Sequence, residues 1–88
     1  MKVRFRTSFT ADLRKLKDEH VLARVEELIA GMESADSLSQ VPNVKKLRGS
    51  GNYFRVRLGD YRVGFALEGD TVTLVRILHR REVYRYFP

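Results

Sequence analysis

The stretch YFRVRLGDYRVGF, residues 53–65, carries Arg55, Arg57 and Arg62 at positions where small sheets usually hold threonine or valine. The spacing of Arg55 and Arg57 puts both guanidinium groups on one side of an extended strand. A tight turn at Gly59-Asp60 returns the chain, so that Arg62 joins them on a neighbouring strand. Arginine presents a planar fork of donors that matches a phosphate bidentately. The chemistry on offer is the grip of a phosphodiester backbone and the neutralisation of its charge.

The charge distribution supports that reading. Residues 1–42 hold seven Lys/Arg and seven Asp/Glu, whereas residues 43–88 hold ten Lys/Arg against four Asp/Glu. The whole net charge of +6 therefore lies in the second half. Localised basic charge implies a polyanionic partner: RNA, DNA, an acidic protein or an anionic membrane surface. A merely solubilising surface is the plainer alternative. Like charges set opposite each other on paired strands destabilise a sheet, a cost that such a surface need not incur.

These side chains are positioned by a chain with room for one domain, residues 1–88. KVRFRT (2–7) alternates and reads as a half-buried strand, with Ser8 as the N-cap of a following helix. Phe9, Leu13 and Leu16 form one helical stripe. After a charged break at Asp18 and Glu19, a second helix runs from about His20 to Ser34 on the stripe Val21, Leu22, Val25, Leu28, Ile29 and Met32. Residues 35–43 read as a loop, and 44–52 as a lead-in carrying Gly49 and Gly51. Strands follow at 52–58, 61–67 and 71–79, with a last short turn or helix in the tail. The fold class is α+β, two N-terminal helices packed on a small, mostly antiparallel four-stranded sheet.

Period-two alternation sorts the meander. Tyr53, Arg55 and Arg57 oppose Phe54, Val56 and Leu58; Arg62, Gly64 and Ala66 oppose Tyr61, Val63, Phe65 and Leu67. Val75 and Ile77 oppose Leu74, Arg76 and Leu78. The helices must cover the apolar face to bury their own stripes. The other face then carries the arginines, with a shallow concavity at Gly64 and Ala66 and an aromatic, Tyr53, at its edge, a surface suited to a nucleic-acid backbone. The chain has no cysteine, so disulfides and cysteine metal sites are excluded. Its two histidines stand in dissimilar contexts, too few for a zinc pair. No apolar run reaches the roughly 18–20 residues of a membrane helix, and MKVRFRTSF lacks the apolar core of a signal peptide, so a cytoplasmic protein is expected.

The order strand, helix, helix, loop, then KKLRG (45–49), YFRVRLGDYRVGF (53–65) and HRREVY (79–84) resembles the RelE/ParE superfamily of bacterial and archaeal toxins over nearly the whole chain. The HRREVY ending resembles the RelE branch. That resemblance implies a toxin of a type II toxin-antitoxin pair, a ribosome-dependent, metal-free endonuclease that cuts mRNA in the A site. The ParE branch shares the fold but inhibits DNA gyrase without catalysis, and a degenerate toxin would keep antitoxin binding alone. The RelE pattern falls on Arg55, Arg57, Arg62, Arg80 and Tyr84, with Lys45, Lys46, Arg48, Arg76 and Arg81 as RNA-backbone contacts. It implies a cognate antitoxin, a ribosome with its mRNA and rRNA, and promoter DNA reached through the antitoxin. No cofactor is implied.

Metal-free RNA cleavage needs a base for the attacking 2′-OH, cations for the phosphorane and an acid for the leaving 5′-oxygen. Arg62 and Arg80 suit the charge-stabilising role. Many RelE-like proteins hold lysines where this chain has Arg55 and Arg57; arginine effectively does not lose its proton, which weighs against Arg57 as the base. Tyr84, Tyr86 and His79 are the alternatives for proton transfer. Asp60 reads as a turn residue, and Arg81 and Arg85 also suit a solvated or antitoxin-facing role.

Overall fold

The computed structural model describes residues 1–49 and 51–88. In chain order the elements are β1 (Lys2–Phe5), α1 (Thr7–Lys15), α2 (Glu19–Ser34), a single 3-10 turn (Leu38–Gln40), β2 (Val44–Lys46), β3 (Tyr53–Leu58), β4 (Tyr61–Glu68), β5 (Thr71–His79) and α3 (Val83–Tyr86). The strands form one sheet in the order β1-β5-β4-β3-β2, antiparallel except where β1 runs parallel to β5. The α+β class stands, but the sheet has five strands rather than four. The extra strand is β2, within the segment read as a lead-in. Its three residues are too few to show alternation, and two of them are exposed lysines.

Both helices cover one face, and the core lies between. Phe9, Val25, Met32, Val56, Val63, Phe65, Val72 and Leu74 are each at most 2% exposed. Asp18 in the charged break caps α2, its carboxylate accepting the N–H groups of His20 and Val21 at 2.9 and 3.3 Å. Ser8 does not cap α1. That helix begins at Thr7 behind Arg6, without a side-chain cap, and the Ser8 hydroxyl donates instead to the Val75 carbonyl at 2.6 Å.

That contact serves a feature that strict alternation misses. Gly64 pairs with Arg76 and Phe65 with Leu74, so Val75 is an extra residue, a β-bulge in β5. The bulge resets the period. Leu74 and Ile77, expected on opposite faces, both point into the core at 0% and 3% exposure. Beyond Leu74, β1 no longer flanks β5, and α1 takes its place. Ser8 satisfies the bulged carbonyl. Asp12, 8% exposed, accepts the Ile77 N–H at 3.2 Å and holds Arg76 through Nε at 2.7 Å and Nη2 at 3.0 Å. The ion pair raises the pKa of Arg76, chiefly through the hydrogen bond to Asp12, so the guanidinium is cationic at every working pH.

Candidate active site

The sheet face away from α1 and α2 is built of cross-strand rows. Lys45 lies opposite Arg55, Arg55 opposite Gly64, and Gly64 opposite Arg76. In the next row Arg57 stands directly opposite Arg62. The alternation of β3 and β4 puts these cations together because Phe54, Val56, Val63 and Phe65 take the helix-covered side. A cleft of about 290 Å³ opens along them, lined by Lys45, Arg55, Arg57 and Arg62 and by Asn43 and Val44.

The gap in the first row is filled. Gly64 and Ala66 were expected to leave a shallow concavity, but Phe87 occupies it at 2% exposure, edge-on to Tyr53 with ring centroids 5.6 Å apart. A Cβ on Gly64 would lie 2.5 Å from the Phe87 ring, so glycine here is a packing requirement. The face is therefore a cationic groove beside a docked tail rather than an open basic sheet.

The tail brings the remaining groups. The Arg80 N–H donates to the Asp60 carbonyl at 2.7 Å, and its guanidinium Nε lies 3.8 Å from the Asp60 carboxylate. This sets Arg80 at the β3–β4 turn, where Arg62 Nη1 donates to the carbonyls of Gly59 and Tyr61 at 2.7 and 2.9 Å. Tyr84 projects from α3, 68% exposed, with its ring face 5.2 Å from the Arg55 guanidinium carbon. Burial lowers the pKa of Arg62, and so does the repulsion of Arg55, Arg57 and Arg80, with Tyr84 partly offsetting them. Arg55, Arg57, Arg62, Arg80 and Tyr84 thus converge on one locality. Among the described residues, the Nε groups of Arg55 and Arg62 are buried without a hydrogen-bond partner. A phosphate oxygen would satisfy such donors.

The other candidates lie elsewhere. His79 sits edge-on to Tyr61 at 5.5 Å, its Nδ1 accepting the Arg81 N–H at 3.2 Å. Tyr86 faces the Arg76 guanidinium at 5.8 Å. Both line a separate cleft of about 400 Å³ with Asp12, Lys15 and Glu82, where α1 flanks the end of β5. Of the three proton-transfer candidates, only Tyr84 stands at the arginines. Arg76, read from sequence as a backbone contact, shares the row but spends its fork on Asp12. Lys45, Lys46 and Arg48 rim the far side of the tail, beside Tyr84 and Phe87. Arg81 is exposed at the end of β5. Sequence reasoning missed Phe87 as a site component and Asp12 as the partner of Arg76. An acidic residue one position before Leu13 of the apolar stripe was the available signal for the second.

Clustered, poorly paired cations should respond to a bound anion. Inorganic phosphate at about ten times its dissociation constant adds about 1.4 kcal/mol, roughly 6 to 11 °C in a domain of this size. Thermal unfolding in phosphate against chloride at matched ionic strength checks this. An equal shift in both salts would mean that general screening alone acts on the cluster.

A family model described as the ParE toxin of the type II toxin-antitoxin system parDE matches residues 3–84. The chain is 38% identical to Toxin RelE3 of Methanocaldococcus jannaschii, over all of both chains. It is 32% identical to Putative toxin RelE1 of the same organism, over 81% of this chain and 79% of that one. Its fold superimposes on the RelB-RelE antitoxin-toxin complex from Methanococcus jannaschii with a TM-score of 0.83 and 35% identity, covering 97% of this chain and 99% of that one. The toxin-antitoxin complex RelBE2 from Mycobacterium tuberculosis gives a TM-score of 0.69 at 34% identity, over 90% of this chain and 96% of that one. The chain belongs to the RelE/ParE superfamily of type II toxin-antitoxin toxins. Within it, the chain is of RelE type.

Proposed function

We propose that this toxin is a ribosome-dependent endoribonuclease that cuts mRNA in the A site and so arrests translation in the cytoplasm. The observation that carries the reading is the placement of Tyr84 over Arg55 and within the electrostatic reach of Arg62, which Arg57 and Arg80 also reach. In this scheme the arginines hold the scissile phosphate in the groove. Tyr84, as the phenolate, takes the proton of the ribose 2′-OH as that oxygen attacks the phosphorus. Arg55, Arg57 and Arg62 meet the charge that builds on the phosphorane oxygens. Arg80 faces the leaving 5′-oxygen, which collects its proton from solvent as the P–O bond breaks. Lys45, Lys46 and Arg48 extend the cationic track for neighbouring phosphates, and Arg81 adds to the field. No step calls for a cofactor.

Chemistry of this kind leaves a 2′,3′-cyclic phosphate on one fragment and a 5′-hydroxyl on the other. End-group analysis of the cut mRNA should find both, and Tyr84→Phe should slow their appearance by about 10²- to 10⁴-fold. A 3′-hydroxyl with a 5′-phosphate would rule the scheme out.

The RelB-RelE and RelBE2 relatives were solved as toxin-antitoxin complexes, which supports a cognate antitoxin for this chain as well. The basic half suits an acidic or amphipathic antitoxin segment, and contact with promoter DNA would run through that antitoxin. A second reading, inhibition of DNA gyrase without catalysis, is favoured by the ParE description of the matching family model. A gyrase binder has no need for Tyr84 to stand over Arg55 within reach of Arg62.

A further inference from the structure

Tyr84 is held in place by little of its own. The residue is 68% exposed, and its ring lies against the Arg55 guanidinium. It stands on a helix of four residues, too short to persist unaided. The residues that bracket it are buried instead. Val83 is 1% exposed and Phe87 2%. The Phe87 N–H closes the turn on the Val83 carbonyl at 2.8 Å, which ties the two plugs together around Tyr84. Phe87 seats where Gly64 leaves room for nothing else, with Tyr53 edge-on at its side. Gly64 lies directly opposite Arg55, the residue beneath the Tyr84 ring. The socket and the arginine are thus neighbours in one row of the sheet.

We infer that Phe87 is a positioning residue: seated on Gly64, its ring fixes α3 so that Tyr84 stands over Arg55 and beside Arg62. The inference rests on the assignment of Tyr84 to proton transfer. Without the plug, Val83 is the one buried residue that α3 keeps, and Tyr84 samples positions away from the bound phosphate. Displacement of a reacting group by about 1 Å costs about 10²-fold in rate. Because Phe87 acts through Tyr84, its loss should matter only while the Tyr84 hydroxyl is present.

The test is a double-mutant cycle on programmed ribosomes, with kcat and KM measured separately. Phe87→Ala should lower kcat by roughly 10- to 100-fold with KM little changed, and Phe87→Leu, which refills the socket, should restore most of it. In a Tyr84→Phe background the same Phe87→Ala change should cost less than about twofold. A second arm needs no activity. With ring-labelled tyrosine, the Tyr84 resonances should move in Phe87→Ala and also in Gly64→Ala, whose Cβ takes the place of the Phe87 ring, while core methyl signals of Val63 and Leu74 stay in place. Equal losses from Phe87→Ala in the two backgrounds, or Tyr84 resonances that do not move, would overturn the inference. If the wild-type protein cuts no mRNA, the nuclease reading falls, and the spectra still decide whether Phe87 positions Tyr84.

Discussion

Arg62→Ala should lower the rate of mRNA cleavage by about 10²- to 10³-fold, the effect of deleting one preorganised donor from a site that meets developing negative charge. Arg62 is the member of the cluster whose surroundings are the most one-sided. Its guanidinium is steered by the carbonyls of Gly59 and Tyr61, and its Nε is buried without a partner among the described residues. Burial, then Arg55, Arg57 and Arg80, disfavours its charge and lowers its pKa. The sign of that shift matters. A cation with a lowered folded-state pKa opposes folding wherever it is protonated, which includes all neutral conditions, and the opposition is relieved only as pH rises through the folded value in the strongly alkaline range. The charge is thus held against the fold, and a bound phosphate relieves it. Arg62→Gln, which keeps a donor but removes the charge, should therefore cost little or no thermal stability while losing most of the activity. Arg62→Lys should rescue poorly, because an ammonium cannot reproduce the planar fork. Cleavage at the wild-type rate by Arg62→Ala would remove this residue from the chemistry.

The largest stability effect should come from Asp12→Ala. One carboxylate satisfies the Arg76 guanidinium and the Ile77 N–H, on the stretch of β5 that β1 no longer flanks. Removing one member of a buried pair costs about 3–5 kcal/mol. The Arg76 side chain is 26% exposed and can recover some hydration, so about 2–4 kcal/mol is expected here. For a domain of this size that is a fall in Tm of roughly 8 to 30 °C. Asp12→Asn, which can still accept the Ile77 N–H, should fall between. Replacing both partners, Asp12→Leu with Arg76→Leu, should recover much of the loss, because no charge is then stranded. Thermal and urea unfolding of the four proteins distinguishes these outcomes. A Tm for Asp12→Ala within about 2 °C of the parent would mean that α1 does not depend on the bulge for its docking.

The two halves of the site differ in how far they could be read from sequence. Arg55, Arg57 and Arg62 were visible because β3 and β4 obey period two without interruption, and the apolar residues between them leave one choice of face. The same rule failed on β5. An extra residue at Val75 carries no mark of its own in LVRIL, and it moves Leu74 and Ile77 to one side. Asp12 lies beside a helical stripe, where an acidic residue is usually solvated, and its partner is 64 positions away. β2 is short, polar and at the sheet's edge, so neither alternation nor apolarity reveals it. The tail was legible as a source of Arg80 and Tyr84 only through family resemblance. That Phe87 fills the space over Gly64 needed the fold, because a glycine in a strand marks a close approach without naming what approaches.

The proposed activity is cleavage of RNA on the ribosome by the arginine groove and Tyr84. Its most direct test uses ribosomes carrying a defined mRNA codon in the A site, with cleavage mapped by primer extension beside the same mRNA free in solution and beside Arg80→Ala. Cuts confined to the A-site codon, seen only with ribosomes and lost in Arg80→Ala, are the predicted result. Intact mRNA on the ribosome, together with inhibition of gyrase supercoiling by the same protein, would contradict it and turn the groove into a protein-binding surface.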